Sequence, residues 1–225
     1  MASFTDNPNA PNKDGETPIH KAAWHNHTEI VKVLVPLTDN PDAPNRYGTT
    51  PIHRAAQNGH TEIVRILAPL TDNPNAPDED GVTPIYLAAF YGHTEIAKLM
   101  APLTDNPNAP DNCDQTPIHR AAQNGHTEVV KLLAPLTDNP NAPDKDGETP
   151  IHKAVWFGHT EIVKILVPLT DNPNAPNNFG MTPIYKAAQC NNTEIVKILK
   201  SFKSSKKRNA GASLAKPNKK RAKKF

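Results

Sequence analysis

The chain has 225 residues, among them 25 lysines and arginines, 23 aspartates and glutamates, and two cysteines. Its average charge of +2 hides a division: every acid falls before residue 200, leaving that stretch at 14 − 23 = −9, while Lys200 to Phe225 carries +11. No apolar run approaches the roughly 18 residues a membrane-spanning helix needs, and no glycine-rich phosphate loop, Cys-x-x-Cys pair or nucleophile elbow occurs.

The opening residues 1–16 lack an apolar h-region, so no signal peptide is expected there. Phe4 to Asn9 repeat the register of Leu37 to Asp42, and this stretch reads as half of a larger unit. Either Phe4 covers the first complete unit or that end touches something else. From Thr17 the tetrapeptide Thr-Pro-Ile-His/Tyr recurs at Thr50, Thr83, Thr116, Thr149 and Thr182; 50 − 17 is 33, and every later interval is the same. A fixed period in this range marks a solenoid, in which each unit buries its apolar face against its neighbours. The two cysteines, Cys113 and Cys190, sit more than two units apart, too far to bridge, and free thiols suit a reducing compartment.

One unit, Asp144 to Pro176, shows the local logic. Thr149 is placed to cap a first helix with Pro150 at its first position, where the missing N–H is no loss. Ile151, Ala154 and Val155 form one apolar face, and Gly158 ends the helix as a left-handed residue. Thr160-Glu161 opens a second helix with a carboxylate in its first turn, its buried stripe being Ile162, Ile165 and Leu166. Val167 to Pro176 holds three prolines and reads as a turn-rich, non-helical connector.

Two short helices and a protruding hairpin in every period resemble the ankyrin repeat. The matching residues are Asp144-x-x-Gly147-x-Thr149-Pro150-Ile151-His152-x-Ala154, then Gly158-His159-x-Glu161-Ile162-Val163-Lys164-x-Leu166, with Asn174-Ala175 before the next hairpin. The resemblance covers about residues 5–200 and implies an all-α solenoid of six helix-turn-helix units over residues 17–202, with protruding hairpin loops. Thr170 to Pro173 departs from the family's Gly-Ala-Asp-Val. Asp114 replaces a hairpin glycine, and Asn26 and Asn191 replace Gly158's counterpart. In the last unit Lys200-Ser201 replaces the Ala/Val-Pro pair, so the second helix can run on and cover itself with Phe202. Residues 203–225 are expected to be a disordered basic tail.

Nine of the ten histidines recur once per unit: four in the Thr-Pro-x-His slot (His20, His53, His119, His152) and five in the Gly-His slot (His27, His60, His93, His126, His159). A role every unit needs is hydrogen bonding within or between repeats, and Tyr86 and Tyr185 in the first slot would break a ligand set. No catalytic residue, metal site or cofactor is expected.

The residues that change between units carry the specificity. On a helical wheel of 100° per residue, the equivalents of Lys21, Trp24 and His25 face away from the core. Those sites hold Trp24 and His25, Phe90 and Tyr91, and Trp156 and Phe157 in odd units, against Gln57/Asn58, Gln123/Asn124 and Gln189/Cys190 in even ones. Tyr47 and Phe179 stand at hairpin tips. In the ankyrin-like fold, first helices and tips line a concave groove, and exposed aromatics on a rigid surface make binding hot spots; the alternative is that the rings pack on neighbouring hairpins. Lys21, Arg54, Arg120, Lys153 and Lys186 form a basic row suited to an acidic partner, interrupted by Leu87. The resemblance also marks Asn75, Asn108, Asn141 and Asn174 as positions for β-hydroxylation by an asparaginyl hydroxylase.

In the tail, Lys206-Lys207-Arg208 and then Lys219, Lys220, Arg221, Lys223 and Lys224 resemble a bipartite nuclear import signal. The expected function is therefore a non-enzymatic adaptor, nuclear and cytoplasmic, binding another protein through its groove and an importin-type receptor through its tail. Two alternatives stand: a nucleic-acid-associated factor using the tail by charge, non-specifically, and a substrate-presenting subunit of an enzyme complex.

Overall fold

The computed structural model describes the backbone of residues 9–212 and the side chains of residues 9–202. Phe4 and the tail side chains Lys206, Lys207, Arg208, Lys219, Lys220, Arg221, Lys223 and Lys224 lie outside that range. Among the described residues there are twelve α-helices and no strand. The first helices of the six units are α1 (Pro18–Trp24), α3 (Pro51–Asn58), α5 (Pro84–Tyr91), α7 (Pro117–Asn124), α9 (Pro150–Trp156) and α11 (Pro183–Gln189). Their partners are α2 (Thr28–Leu34), α4 (Thr61–Leu67), α6 (Thr94–Met100), α8 (Thr127–Leu133), α10 (Thr160–Leu166) and α12 (Thr193–Ala212). First helices pack on first helices and second on second, so each unit touches only its neighbours. The all-helical solenoid expected from the repeat is present. None of these helices is long and apolar enough to cross a membrane.

Each first helix starts where Thr-Pro places it. Thr50, Thr116 and Thr149 accept through their side chains from the N–H three residues on, with proline at the next position. Their histidines close the cap from the other side: the Nδ1 atoms of His20, His53, His119 and His152 accept from the threonine N–H at 3.0–3.1 Å. Because Nδ1 accepts, Nε2 carries the proton. It donates into the following unit, to the carbonyls of Thr49, Val82, Glu148 and Met181 at 3.0–3.2 Å. Tyr86 fills the same slot with its hydroxyl, which donates to Asp111 of the next unit at 2.6 Å. Tyr185, in the last unit, is half-exposed.

The Gly-His histidines point the other way. His60, His93, His126 and His159 donate from Nε2 to the carbonyls of Trp24, Gln57, Phe90 and Gln123 in the preceding unit, at 3.0–3.1 Å. The glycine makes room for this: Gly92 has φ +78°, and a Cβ there would stand 2.6 Å from the His126 ring. Asn26, Asp114 and Asn191 take the left-handed conformation at φ 55–60° where other units use glycine, as short polar side chains can.

The apolar core is continuous from Ile19 through Ile52, Ile85, Ile118 and Ile151 to Ile195 and Leu199, with Phe202 packed against its last layer. At the other end Ile30 and Val33 of α2 lie exposed.

Two expectations need correction. The connectors do not begin as irregular chain: Val35–Leu37, Ala68–Leu70, Ala101–Leu103, Ala134–Leu136 and Val167–Leu169 are single 3₁₀ turns. Proline at the second position of such a turn owes no internal N–H bond, and the extended threonine that follows ends it. Second, α12 has no proline to stop it and runs to Ala212, so the boundary expected after residue 202 falls inside a helix.

The Asn before each unit also has a structural place. Asn9, Asn75, Asn108, Asn141 and Asn174 accept through Oδ1 from the N–H ten residues on, at 2.8–3.2 Å. Unit 2 has Asp42 there instead, accepting from Ile52 N–H at 2.9 Å. Burial without a cationic partner pushes its carboxyl up to about 7, against the bonds from Ile52 and Thr50. A raised folded pKa means stability present below the unfolded value and lost as pH rises through 7. Asp42→Asn, the residue other units use, is therefore expected to stabilise the chain by about 2–4 kcal/mol above pH 7. Denaturant titration at pH 8 and pH 5 checks this; a gain equal at both would remove the charge from the explanation.

Candidate partner-binding groove

The variable outward residues meet along the first helices, and each odd unit receives a cation from the even unit after it. Arg54 places its guanidinium 5.1 Å from the centre of the Trp24 ring and donates from Nη2 to Glu16 at 2.9 Å. Lys186 stands 4.9 Å over Trp156 and pairs with Glu148. Arg120 lies 5.7 Å from Phe90 and 5.5 Å from Tyr86, with Asp111 at 3.9 Å. The aromatics are thus oriented by a charged neighbour, one face against the cation.

The next residue in each odd unit is positioned by a Gly-His imidazole. Tyr91 stacks on His93 with ring centres 6.2 Å apart, and Phe157 on His159 at 6.4 Å. Tyr91 also meets Phe90 edge-on at 4.8 Å and accepts from Gln57 Nε2 at 3.3 Å. His25 lies 5.9 Å from His27. Trp156 and Phe157 are each 51 % exposed, and Phe179, at its tip, 70 %. Tyr47 is half-exposed beside Arg46, whose guanidinium sits 4.7 Å from its ring and pairs with Asp14 at 2.8 Å. Phe90 is the most enclosed of the set.

These contacts form twin depressions of about 350 Å³ near the two ends of the array. One is lined by Glu16, His20, Lys21, Trp24, His25 and Arg54. The other holds Glu148, Lys153, Trp156, Phe157, Met181 and Lys186.

The structure changes the meaning of the basic row. Lys186 is only 4 % exposed. Lys153 holds Glu148 at 2.7 Å and Asp144 at 3.0 Å. Burial alone would push the Glu148 carboxyl up, but the bonds from Lys153 and Lys186 outweigh it and hold it at about 2. With Arg54 and Arg120 also engaged, Lys21 is the one member of the row without an ion pair among the described residues. Arg54, Arg120 and Lys186 thus face the aromatics while paired with Glu16, Asp111 and Glu148.

Glu16 and Glu148 are the residues that sequence reasoning missed. A signal existed: the position before each Thr-Pro holds Glu16, Thr49, Val82, Gln115, Glu148 and Met181, and glutamate occurs only where the next unit supplies Arg54 or Lys186. Asn75, Asn108 and Asn141 are buried in the loop-to-helix bonds described above, and Asn174 partly so. Among the described residues no group of three or more His, Cys, Asp or Glu side chains could hold a metal ion.

A family model for ankyrin repeats, in three copies, matches residues 3–78, 70–144, 87–177 and 135–210. No curated protein matches the chain.

Proposed function

The chain belongs to the ankyrin-repeat family, whose repeats mediate protein–protein interaction, and on that premise we propose a non-enzymatic adaptor that grips its partner in the groove of first helices and tips. The observation that carries this reading is the set of partly exposed aromatics in odd units, each oriented before binding by a cation from the next unit. Side chains already ordered in the free protein lose little entropy on association, and aromatics are the usual anchors of interfaces. Lys21 supplies the groove's uncompensated positive charge.

Trp156→Ala with Phe157→Ala is expected to weaken partner binding by about 2 kcal/mol or more while moving the melting temperature little. The readouts are affinity for a partner recovered with the full chain and thermal melting of the same variant. A large loss of melting temperature with unchanged affinity per folded molecule would identify the rings as packing.

The tail supports the second half of the reading. Its two basic clusters, around Lys207 and Arg221, suit an import receptor, and on this reading the adaptor works in nucleus and cytoplasm. Deleting residues 203–225 is expected to abolish nuclear accumulation of a tagged chain and leave its helical signal largely intact. Continued concentration in nuclei would overturn the import role. If nucleic acid were the target instead, binding would fall steeply and linearly on a log–log salt plot.

A further inference from the structure

The 3₁₀ turns put a second surface on the array, away from the groove. Leu37, Leu70, Leu103, Leu136 and Leu169 close these turns and are 45–52 % exposed, each beside an exposed proline. One extended threonine further on stands an exposed aspartate. Asp39, Asp72, Asp105 and Asp138 have no ion-pair partner among the described residues, and Asp171 continues their row. The glutamates that open the second helices differ: each of Glu29, Glu95, Glu128 and Glu161 is held at 2.6–2.7 Å by a lysine three residues on. Unpaired carboxylates thus recur along an edge that alternates leucine with aspartate, unit after unit; the others that are exposed, Glu79, Asp80, Asp114 and Asp146, stand at hairpin tips with no such leucines beside them in sequence.

This pattern selects its occupant. A purely apolar segment would strip water from the aspartates without pairing them, and an acidic one would be repelled. A lysine-rich segment fits both rows, its methylene stems on the leucines and its ammonium groups at the carboxylates. The chain carries such a segment: residues 203–225 hold ten lysines and arginines and no acid. It also leaves from the right place. Lys200 to Phe202 occupy in unit 6 the slot that Val167–Leu169 fills in unit 5, and α12 packs against that turn. The 13 residues beyond Ala212 span up to ~43 Å when extended. Helical rise over residues 203–212 takes the chain ~15 Å outward, and the remaining reach covers about three units at 8–10 Å each.

We propose that residues 213–225 fold back along this edge, their lysines lying on the leucines and aspartates of units 3 to 5. In that arrangement the distal basic cluster is covered by the chain itself, and any receptor for it competes with the array's own edge. The edge lies apart from the groove, and its occupancy does not depend on what the groove binds.

The test is zero-length carbodiimide cross-linking of the full chain, mixed in equal parts unlabelled and ¹⁵N-labelled, read by mass spectrometry. The expected products are isotopically pure links from Lys223 and Lys224, the lysines whose reach extends over units 4 and 3, to Asp138 and Asp105. Leu103→Ser with Leu136→Ser should lower their yield about fivefold or more, measured against the Lys98–Glu95 link as internal reference (2.7 Å). Should that pair disturb the fold, Leu136→Ser alone gives the same reading at Asp138. Links of mixed isotope would make a second copy the occupant and overturn the proposal. Links spread evenly over Glu62 and Glu128, a yield indifferent to the leucines, or no tail links at all would each overturn it too.

Discussion

Acidification from pH 7 to pH 4 is expected to destabilise this array through its buried imidazoles. Burial lowers the pKa of His20, His53, His119 and His152, taking His53 and His119 from 6.5 to about 4. The geometry adds a reason: Nδ1 already accepts a backbone N–H, so a second ring proton would face a donor. The unfolded chain takes up protons near 6.5 and the folded one does not, so stability is full above 6.5 and drains away as pH falls through 4. A shift of this size is worth roughly 3 kcal/mol per imidazole. Asp42 works in the opposite direction over the same window, because its raised carboxyl favours the fold as pH falls. One aspartate does not offset four histidines, and a net loss of several kcal/mol by pH 4 follows. Melting temperatures at half-unit pH steps read the slope directly. Asp42→Asn should steepen it, and His53→Gln with His119→Gln should flatten it at a cost in neutral stability. A melting temperature constant from pH 7 to 4.5 would mean that the imidazoles titrate alike in both states.

Glu148→Ala is expected to be the most damaging single exposed-side substitution. It strands Lys186, 4 % exposed, and removes one of the two carboxylates that hold Lys153. Removing one partner of a buried pair leaves an uncompensated charge, at about 3–5 kcal/mol. The surface pairs offer a contrast: breaking Glu95–Lys98 should cost no more than about 0.5 kcal/mol. Because Glu148 is held near pH 2, its contribution is present above the unfolded value of 4.5 and is lost as pH falls toward 2. Denaturant midpoints measure the effect, and Lys186→Met added to Glu148→Leu should recover much of it. Equal midpoints for Glu148→Ala and Glu95→Ala would sink the account. The same substitution loosens the support of Trp156, so its binding defect should accompany its stability defect.

Features repeated in every unit are readable from the sequence because repetition itself reveals purpose. Histidines at fixed phase have to serve packing, and their Nε2 atoms do donate across the junctions. Asp114, Asn26 and Asn191 can be assigned left-handed backbone because glycine stands at those phases elsewhere. Features that link different phases are not readable in this way. Whether Lys186 faces a partner or its own chain depends on Glu148, 38 residues away, and no helical wheel contains that pairing. The Pro-Leu turns read as plain connector because proline excludes α-helix, yet a single 3₁₀ turn needs none of the bonds that proline forbids.

The alternation of odd and even units bears on how such a chain can change length. Trp24, Phe90 and Trp156 stand two periods apart, and each takes its cation from the unit that follows it. Excising a single unit, residues 50–82, would keep the histidine bonding slots occupied but bring Leu87 against Trp24 in place of Arg54. Excising two restores the match. For this molecule the quantum of insertion or deletion that preserves the groove is the pair of repeats, so viable length variants should differ by an even number of units.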